Sequence, residues 1–369
     1  MICSSSSSLR RRNTGFSLVE VMVGLAIGML AVIVMMQVFS VSEGYKRSTS
    51  GGSDATSEGA IAAYALQRDI TQAGYGAAAL DMFGCLVTVS TVDIPLAPVT
   101  INPPTSIVPA GDPNTDTLLV FYGSTAAQPQ GQIGTVVLPA GNYYVMSSPC
   151  NRPPSTPPNP SPLTLTASAQ NVAAIGTLYH LGTTMEPPKM LAYAVRNGNL
   201  TVCDYVVSNC SVVANVGDPT IWRAVASNVV SLRAQYGRDT LTVEPTTLPD
   251  PPPNYVVDTY DQTTPGGTWQ NVCRNWPKIG AVRLAIVARS AQKEPVQLDS
   301  AGVPITGFDW DGGDHTQAGS TTNAPIDLTL QPNGTANPEW RNYRYKVFQT
   351  VIPLRNITWM GVQEASTCL

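Results

Sequence analysis

A chain of 369 residues is long enough to bury a sizeable core, with room for one large domain or two ordinary ones. Only 12% of its residues are charged, against 30 glycines and 31 prolines, a balance that suits strands joined by many turns better than a helical bundle. A formal charge of −4 argues against general nucleic-acid binding, and the presence of aromatics without long acidic or basic runs argues against a fully disordered chain.

The chain opens on a polar run, Ser4 to Ser8, followed by the basic cluster Arg10, Arg11 and Arg12 and then Gly15. From Phe16 to Val41 it is overwhelmingly apolar, with Glu20 as the only charge. A helix over the 24 residues from Phe16 to Phe39 is about 36 Å long, enough to cross a ~30 Å hydrocarbon layer. Arginines on its N-terminal side keep that end cytoplasmic and send the remainder outward. A secretory signal peptide would have a shorter apolar run ending at a small-residue cleavage site. A plain signal anchor remains an open reading of hydropathy alone.

Glu20 calls for a cause, because a carboxylate near the start of a membrane helix is costly when unpaired. A cut between Gly15 and Phe16 would place a new N-terminal amine near the depth of Glu20 on a neighbouring copy, and the pair would offset desolvation and set an axial register. The other reading is an acid favoured by the helix macrodipole, or one snorkelling to the interface. Further along the span, Gly24 and Gly28 form a GxxxG pair, which permits close helix packing or loosens the helix.

The stretch Gly15-Phe16-Ser17-Leu18-Val19-Glu20 resembles the class III signal of type IV prepilins and type II secretion pseudopilins. That resemblance implies a membrane peptidase that cuts after Gly15 and methylates Phe16, with Glu20 assisting recruitment to a growing filament. Loss of the leader, residues 1–15, would take the formal charge from −4 to −7 by removing Arg10, Arg11 and Arg12.

Beyond the span the helix is expected to continue to residue 74, with a possible break at residues 48–53, where Gly51 and Gly52 are poor helix formers. Asp54 or Ser53 can restart it as an N-cap. Ala62, Leu66, Ile70 and Ala73 then repeat at helical spacing, and Gly74 is a C-cap candidate. The run Arg68-Asp69-Ile70-Thr71-Gln72-Ala73-Gly74-Tyr75-Gly76 followed by Cys85 resembles the end of the first helix in PilW-type minor pilins. Similar resemblances lie at Asn228 to Leu232 leading to Tyr236-Gly237, at Val282 to Ser290, and at Phe348 to Asn356. They are poorest between Thr88 and Pro188, where Pro-rich insertions dominate.

The remainder, 75–369, reads as a β-rich head. Expected strands are Thr117 to Tyr122, Thr135 to Leu138, Tyr143 to Met146, Val229 to Tyr236, Ala281 to Ala288 and Tyr345 to Pro353. Leu191 to Arg196 and Leu200 to Val206 flank Asn197-Gly198, the clearest hairpin signal. Pro149 to Pro162 and Pro249 to Pro253 read as surface loops.

Outside the leader, which holds Cys3, six cysteines remain: Cys85, Cys150, Cys203, Cys210, Cys273 and Cys368. Their even number favours structural disulfides in an exported domain, with Cys203 and Cys210 close enough for a local loop. Zinc is the rival, but no CxxC or Cys/His cluster has its spacing, and the chain's histidines are His180 and His315. Asp309, Asp311 and Asp314 around Gly312-Gly313 form an acidic turn that can hold calcium or simply turn the chain; the EF-hand order fails. Trp269 and Trp276 near Cys273 read as burial beside a disulfide or as an exposed partner patch.

No catalytic motif appears: there is no GxSxG elbow, P-loop, HExxH or dinucleotide glycine fingerprint. The sequence therefore predicts an α+β protein, with a leader (1–15), a long N-terminal transmembrane and pilin helix (16–74, membrane part 16–41), and a disulfide-containing β-rich head. The resemblance implies a non-catalytic, cofactor-free minor pilin held in the inner membrane with its head in the periplasm, then built into a pilus at or near the tip. It implies other minor pilins, the major pilin and a tip adhesin as partners, prepilin peptidase as processing enzyme, and adhesion and twitching motility as consequences. A J-type pseudopilin of type II secretion is the nearest alternative. An anchored periplasmic enzyme or binding module is a more distant one.

Overall fold

The computed structural model describes residues 15–76, 83–84, 86–89, 91–124, 132–137, 142–148, 161–162, 164–167, 171–240, 256–266, 272, 275–315 and 322–358. Its contacts divide into two units, Met1–Ser50 and Gly51–Leu369. Helix α1, Leu18–Gln72, contributes to both.

The first unit is the apolar part of α1. Its carboxyl-end neighbour, from Gly51 on, is amphipathic: Ala55, Ala62, Leu66 and Ile70 are fully buried, the stripe expected from i, i+4 spacing. Residues 48–53, where a break was possible, are helical within α1, Gly51 and Gly52 included. A helical glycine costs only about 1 kcal/mol relative to alanine, and here the missing side chains let the helix approach other chain. A Cβ on Gly51 would come within 3.0 Å of Ser290, one on Gly52 within 3.3 Å of Arg344, and one on Gly59 would collide with the Phe348 ring. The glycines mark close packing. Gly74, at φ +80°, takes the left-handed conformation that closes the helix, as its sequence position predicts.

Among its described residues the second unit carries four sheets. A five-stranded sheet has the order β12-β11-β10-β4-β3, with β3 Val99–Ile101, β4 Leu118–Tyr122, β10 Lys189–Arg196, β11 Asn199–Asp204 and β12 Arg223–Ala226. A four-stranded sheet runs β14-β13-β15-β16, with β13 Val229–Arg238, β14 Thr259–Asp261, β15 Ile279–Arg289 and β16 Tyr345–Pro353, all antiparallel. A smaller sheet joins β1 Leu86–Val89, β2 Val92–Pro95 and β7 Ser161–Pro162. The fourth has the order β5-β9-β6-β8, with β5 Gln132–Val137, β6 Asn142–Ser148, β8 Thr164–Ala167 and β9 Asn171–Thr183. Pro162, expected in a loop, sits instead on an edge strand, where its missing N–H breaks no central ladder.

Period-two alternation sorts the side chains into separate cores. On β4, Leu118, Val120 and Tyr122 face the core that holds the α1 stripe, while Leu119 and Phe121 face a second core with Val87, Ile94 and Leu96. On β15, Val282, Leu284 and Ile286 join the α1 core, while Ala285 and Val287 face a third. Both strands are covered on two faces, so they read as near-continuous apolar runs. The third core is roofed by the excursion 290–344 between β15 and β16, through Trp310, Ile326, Leu328 and Trp340.

The Asn197-Gly198 hairpin forms as expected, with both residues at positive φ (50° and 68°) and Arg196 opposite Asn199. The Asp112 carboxylate accepts both turn N–H groups at 2.9 Å. Burial pushes its pKa up, while those N–H groups and nearby Arg196 oppose the rise.

Candidate functional site

At the start of the described chain, Gly15, Phe16 and Ser17 precede the first helical residue, Leu18. The Ser17 carbonyl accepts from the Val21 N–H at 3.1 Å, so Ser17 is the N-cap and Glu20 is the third helical residue. A carboxylate there is favoured by the exposed N–H groups and the macrodipole. Phe16 is 82% exposed, and among the described residues no cation pairs with Glu20. Both readings of Glu20 therefore stand: a cap-compatible acid within one chain, and an acid left free for a charge on another.

The rest of this segment is apolar on every side. Each large apolar side chain from Leu18 to Val41 is exposed within the chain, and the helix is long and apolar enough to cross a membrane. A helix hydrophobic all round has no watery face to present.

The head-side end of α1 is fixed by polar contacts that the apolar stripe does not reveal. Asp69, fully buried beside Leu66 and Ile70, accepts hydrogen bonds from Tyr122 Oη (3.1 Å), Tyr193 Oη, and Arg68 Nε (2.8 Å) and Nη2 (3.2 Å). Burial, reinforced by the adjacent carboxylate, pushes both tyrosine pKa values well above their usual range. The bonds to Asp69 raise the Arg68 guanidinium likewise. Asn356, in the short helix α2 (Arg355–Thr358), donates through Nδ2 to the carbonyls of Gln72 and Ala73, each at 3.1 Å. These are carbonyls that a helix end leaves without an internal partner. Two segments far apart in sequence, Arg68 to Gly76 and Phe348 to Asn356, thus meet at one junction.

A second junction joins the two larger sheets. The buried Asp116 carboxylate accepts from Gln262 Nε2 (2.7 Å) and from Asn102 Nδ2, Arg233 Nη1 and the Ala234 N–H, each at 2.9 Å. Desolvation pushes its pKa up, against the pull of Arg233 and these donors.

Of the cysteine candidates, Cys203 and Cys210 form a disulfide with a Cα–Cα distance of 5.8 Å. Cys85, Cys150, Cys273 and Cys368 lie outside the described residues. Trp276 is buried against Phe83 and Tyr236, with ring centroids 5.6 and 6.0 Å away; Trp269 lies outside the described residues. Asp309 and Asp314 come together with His315, whereas Asp311 is not part of that group and gives its backbone N–H to Gln349. Gly312 and Gly313 are tightly packed: a Cβ on Gly312 would meet the Trp310 ring and one on Gly313 the Ala324 backbone.

Residues 205–356 match the family described as Type IV Pilus-assembly protein W, and residues 10–36 match the prokaryotic N-terminal methylation motif. These two matches support a type IV pilus minor pilin of the PilW type over the residues they cover. The PilW match covers the sheet from β13 to β16 with its excursion and ends at Asn356, the residue that closes α1. The leading part of the head, β1 to β11, lies outside it, as the poor resemblance between Thr88 and Pro188 anticipates. Among solved structures, a type IV-like pilin from Thermus thermophilus aligns with a TM-score of 0.35 at 11% identity, covering 82% of this chain and 96% of that one. No curated protein matches.

The partners of Asp69, Asp116 and Asn356, and the place of His315 beside the acidic turn, escaped the sequence reading. Asp69 had a signal, since an acid between Leu66 and Ile70 on a buried helix face needs partners. So did His315, directly beside Asp314.

Proposed function

We propose that this PilW-type chain is stored in the inner membrane by the apolar part of α1 and is then drawn into a type IV pilus, where it helps initiate assembly and sits at or near the tip. Prepilin peptidase cuts after Gly15 and methylates Phe16. Glu20 then pairs with the new N-terminal amine of a neighbouring subunit, offsetting the desolvation of both charges. Other minor pilins, the major pilin and a tip adhesin are its partners, and adhesion and twitching motility follow from the filament. The head presents surface and carries no catalytic constellation among its described residues.

One observation carries this reading: a span apolar on all faces and exposed along its whole length begins at the methylation motif. Such a span suits lipid first and the helical core of a filament afterwards, so one element serves storage and assembly.

The test is the N-terminus of the native protein, read by mass spectrometry with and without prepilin peptidase. The expected peptide begins at N-methyl-Phe16 and disappears when the peptidase is absent. An intact leader, or a cut elsewhere, overturns the processing claim. Deletion separates the systems: lost pili support the reading, whereas normal piliation with lost enzyme secretion assigns the chain to type II secretion. Glu20→Gln should leave cleavage intact and abolish recovery in sheared pili.

A further inference from the structure

The excursion 290–344 gathers a group that the pilin function does not use. One ligand atom from each of Asp309, Asp314 and His315 lies within 4.8 Å of the other two. We propose that these three side chains form an open site for a divalent transition cation of the zinc or manganese kind.

Two carboxylates on a turn would be an ordinary solvated feature; the imidazole changes the chemistry. His315 Nδ1 is 2.6 Å from Asp309 Oδ1, and Nε2 is 3.1 Å from Thr306 Oγ1. When Nε2 donates to Thr306, the Nδ1 lone pair faces a carboxylate oxygen, and a cation between the two acceptors relieves their repulsion. Thr306 then acts as the outer partner that fixes the tautomer and ring orientation of a metal-bound histidine. A mixed nitrogen and oxygen set suits zinc or manganese, whereas calcium takes oxygen ligands alone.

The turn is held from outside the group. Trp310 Nε1 donates to the Ala324 carbonyl at 2.7 Å, Gln235 Nε2 to the Gly312 carbonyl at 3.1 Å, and the Asp314 N–H to Asn323 Oδ1 at 2.8 Å. A Cβ on Gly313 would lie 2.5 Å from the Ala324 backbone, so the turn is pressed against its neighbour. Zinc bonds of ~2.0–2.1 Å set tetrahedral ligand edges near 3.3 Å, so binding would adjust donors that now lie within 4.8 Å of one another to that spacing. His315 also lines a cleft of about 450 Å³, together with Thr306, Phe308, Asn114, Asp327 and Trp340. Of the three ligands only His315 reaches this cleft, which leaves room beside the imidazole for water or a small oxygen donor.

The test uses the full-length chain in detergent, without an affinity tag and with free thiols alkylated, titrated separately with Zn²⁺, Mn²⁺ and Ca²⁺ under equilibrium dialysis. The expected result is one Zn²⁺ or Mn²⁺ bound per chain, weakened by at least about tenfold in His315→Ala and in Asp309→Asn, and unaffected in His180→Ala. Thermal unfolding of each variant checks that the head is folded, and added Zn²⁺ should raise the midpoint of the parent but not of His315→Ala. No saturable Zn²⁺ or Mn²⁺ binding overturns the proposal, as does binding that survives His315→Ala. Calcium binding lost in Asp309→Asn but retained in His315→Ala overturns it in favour of an all-oxygen site.

Discussion

From Leu18 to Tyr45, α1 exposes every large apolar side chain it has, whereas from Ala55 to Ile70 the apolar positions Ala55, Ala62, Leu66 and Ile70 are wholly buried and Ile61 and Tyr64 remain outside. The backbone is the same helix in both stretches. The difference is solvent. The first stretch is uniformly apolar and finds no partner in its own unit, so its burial must come from lipid or from other helices. The second is striped, and its stripe is met by strands of its own chain. Helix propensity does not distinguish the two; the placement of polar residues does.

Paired substitutions test that contrast most severely. Leu66→Ala should cost roughly 2–5 kcal/mol of head stability, the range for emptying a buried leucine site. Leu30→Ala should leave the head's unfolding midpoint unchanged. Denaturant unfolding of the full-length protein in detergent, followed by the fluorescence of buried tryptophans such as Trp276, reads both. A head that loses stability in Leu30→Ala would break the comparison.

Asp69→Ala comes next, at about 3 kcal/mol, because it strands two buried tyrosine hydroxyls and removes their charged acceptor. A pH effect accompanies it. Tyr122 and Tyr193 start from an ordinary pKa of 10.0 and are pushed above it in the fold. Below pH 10 both states keep these protons, and stability does not depend on them. Above it the unfolded chain ionises first, so stability falls as pH rises towards the folded values. The fall should be shallower in Asp69→Ala, where the carboxylate no longer opposes ionisation. An alkaline limb unchanged by that substitution would separate the tyrosines from Asp69.

The Cys203–Cys210 loop, with a sequence separation of 7, should contribute about 2–3 kcal/mol by restricting the unfolded chain. Replacing both cysteines by serine, or reducing the parent, should lower stability by a similar amount. A reductant that still destabilises the double variant would reveal a further bridge among the remaining cysteines.

Much of the head was legible because its strands carry local signals. The Asn197-Gly198 turn announces its hairpin, and β13, β15 and β16 fall within two residues of their expected bounds. Sheet order was not legible. β4 pairs with β10 across the whole of β5 to β9, and no local pattern names such a partner. The excursion 290–344 was equally opaque, since Trp310, Ile326 and Trp340 roof the third core from irregular backbone without periodicity. The anchor motif was read from adjacent residues. The helix seat was not, because Asp69, Tyr122, Tyr193 and Asn356 meet only through tertiary structure. His315 joined the acidic turn for the same reason.

The glycines of α1 give the finest test, since one substitution should carry opposite signs on the same helix. Alanine gains about 1 kcal/mol over glycine in helix propensity wherever its methyl group fits. On Gly59 the Cβ would lie 2.0 Å from the Phe348 ring, a rigid neighbour on β16. Overpacking of that kind costs about 1–3 kcal/mol, so Gly59→Ala should destabilise the head on balance. On Gly52 the nearest atom is Arg344 Cδ at 3.3 Å, part of a long side chain that can move aside. There propensity wins, and Gly52→Ala should stabilise by a few tenths to about 1 kcal/mol. Thermal midpoints that move in opposite directions would confirm that Gly59 is a contact and Gly52 a tolerated weakness. A loss of stability in both would mean that the helix at Gly52 also lies too close to the head for any side chain. A gain in both would mean that the Phe348 ring yields.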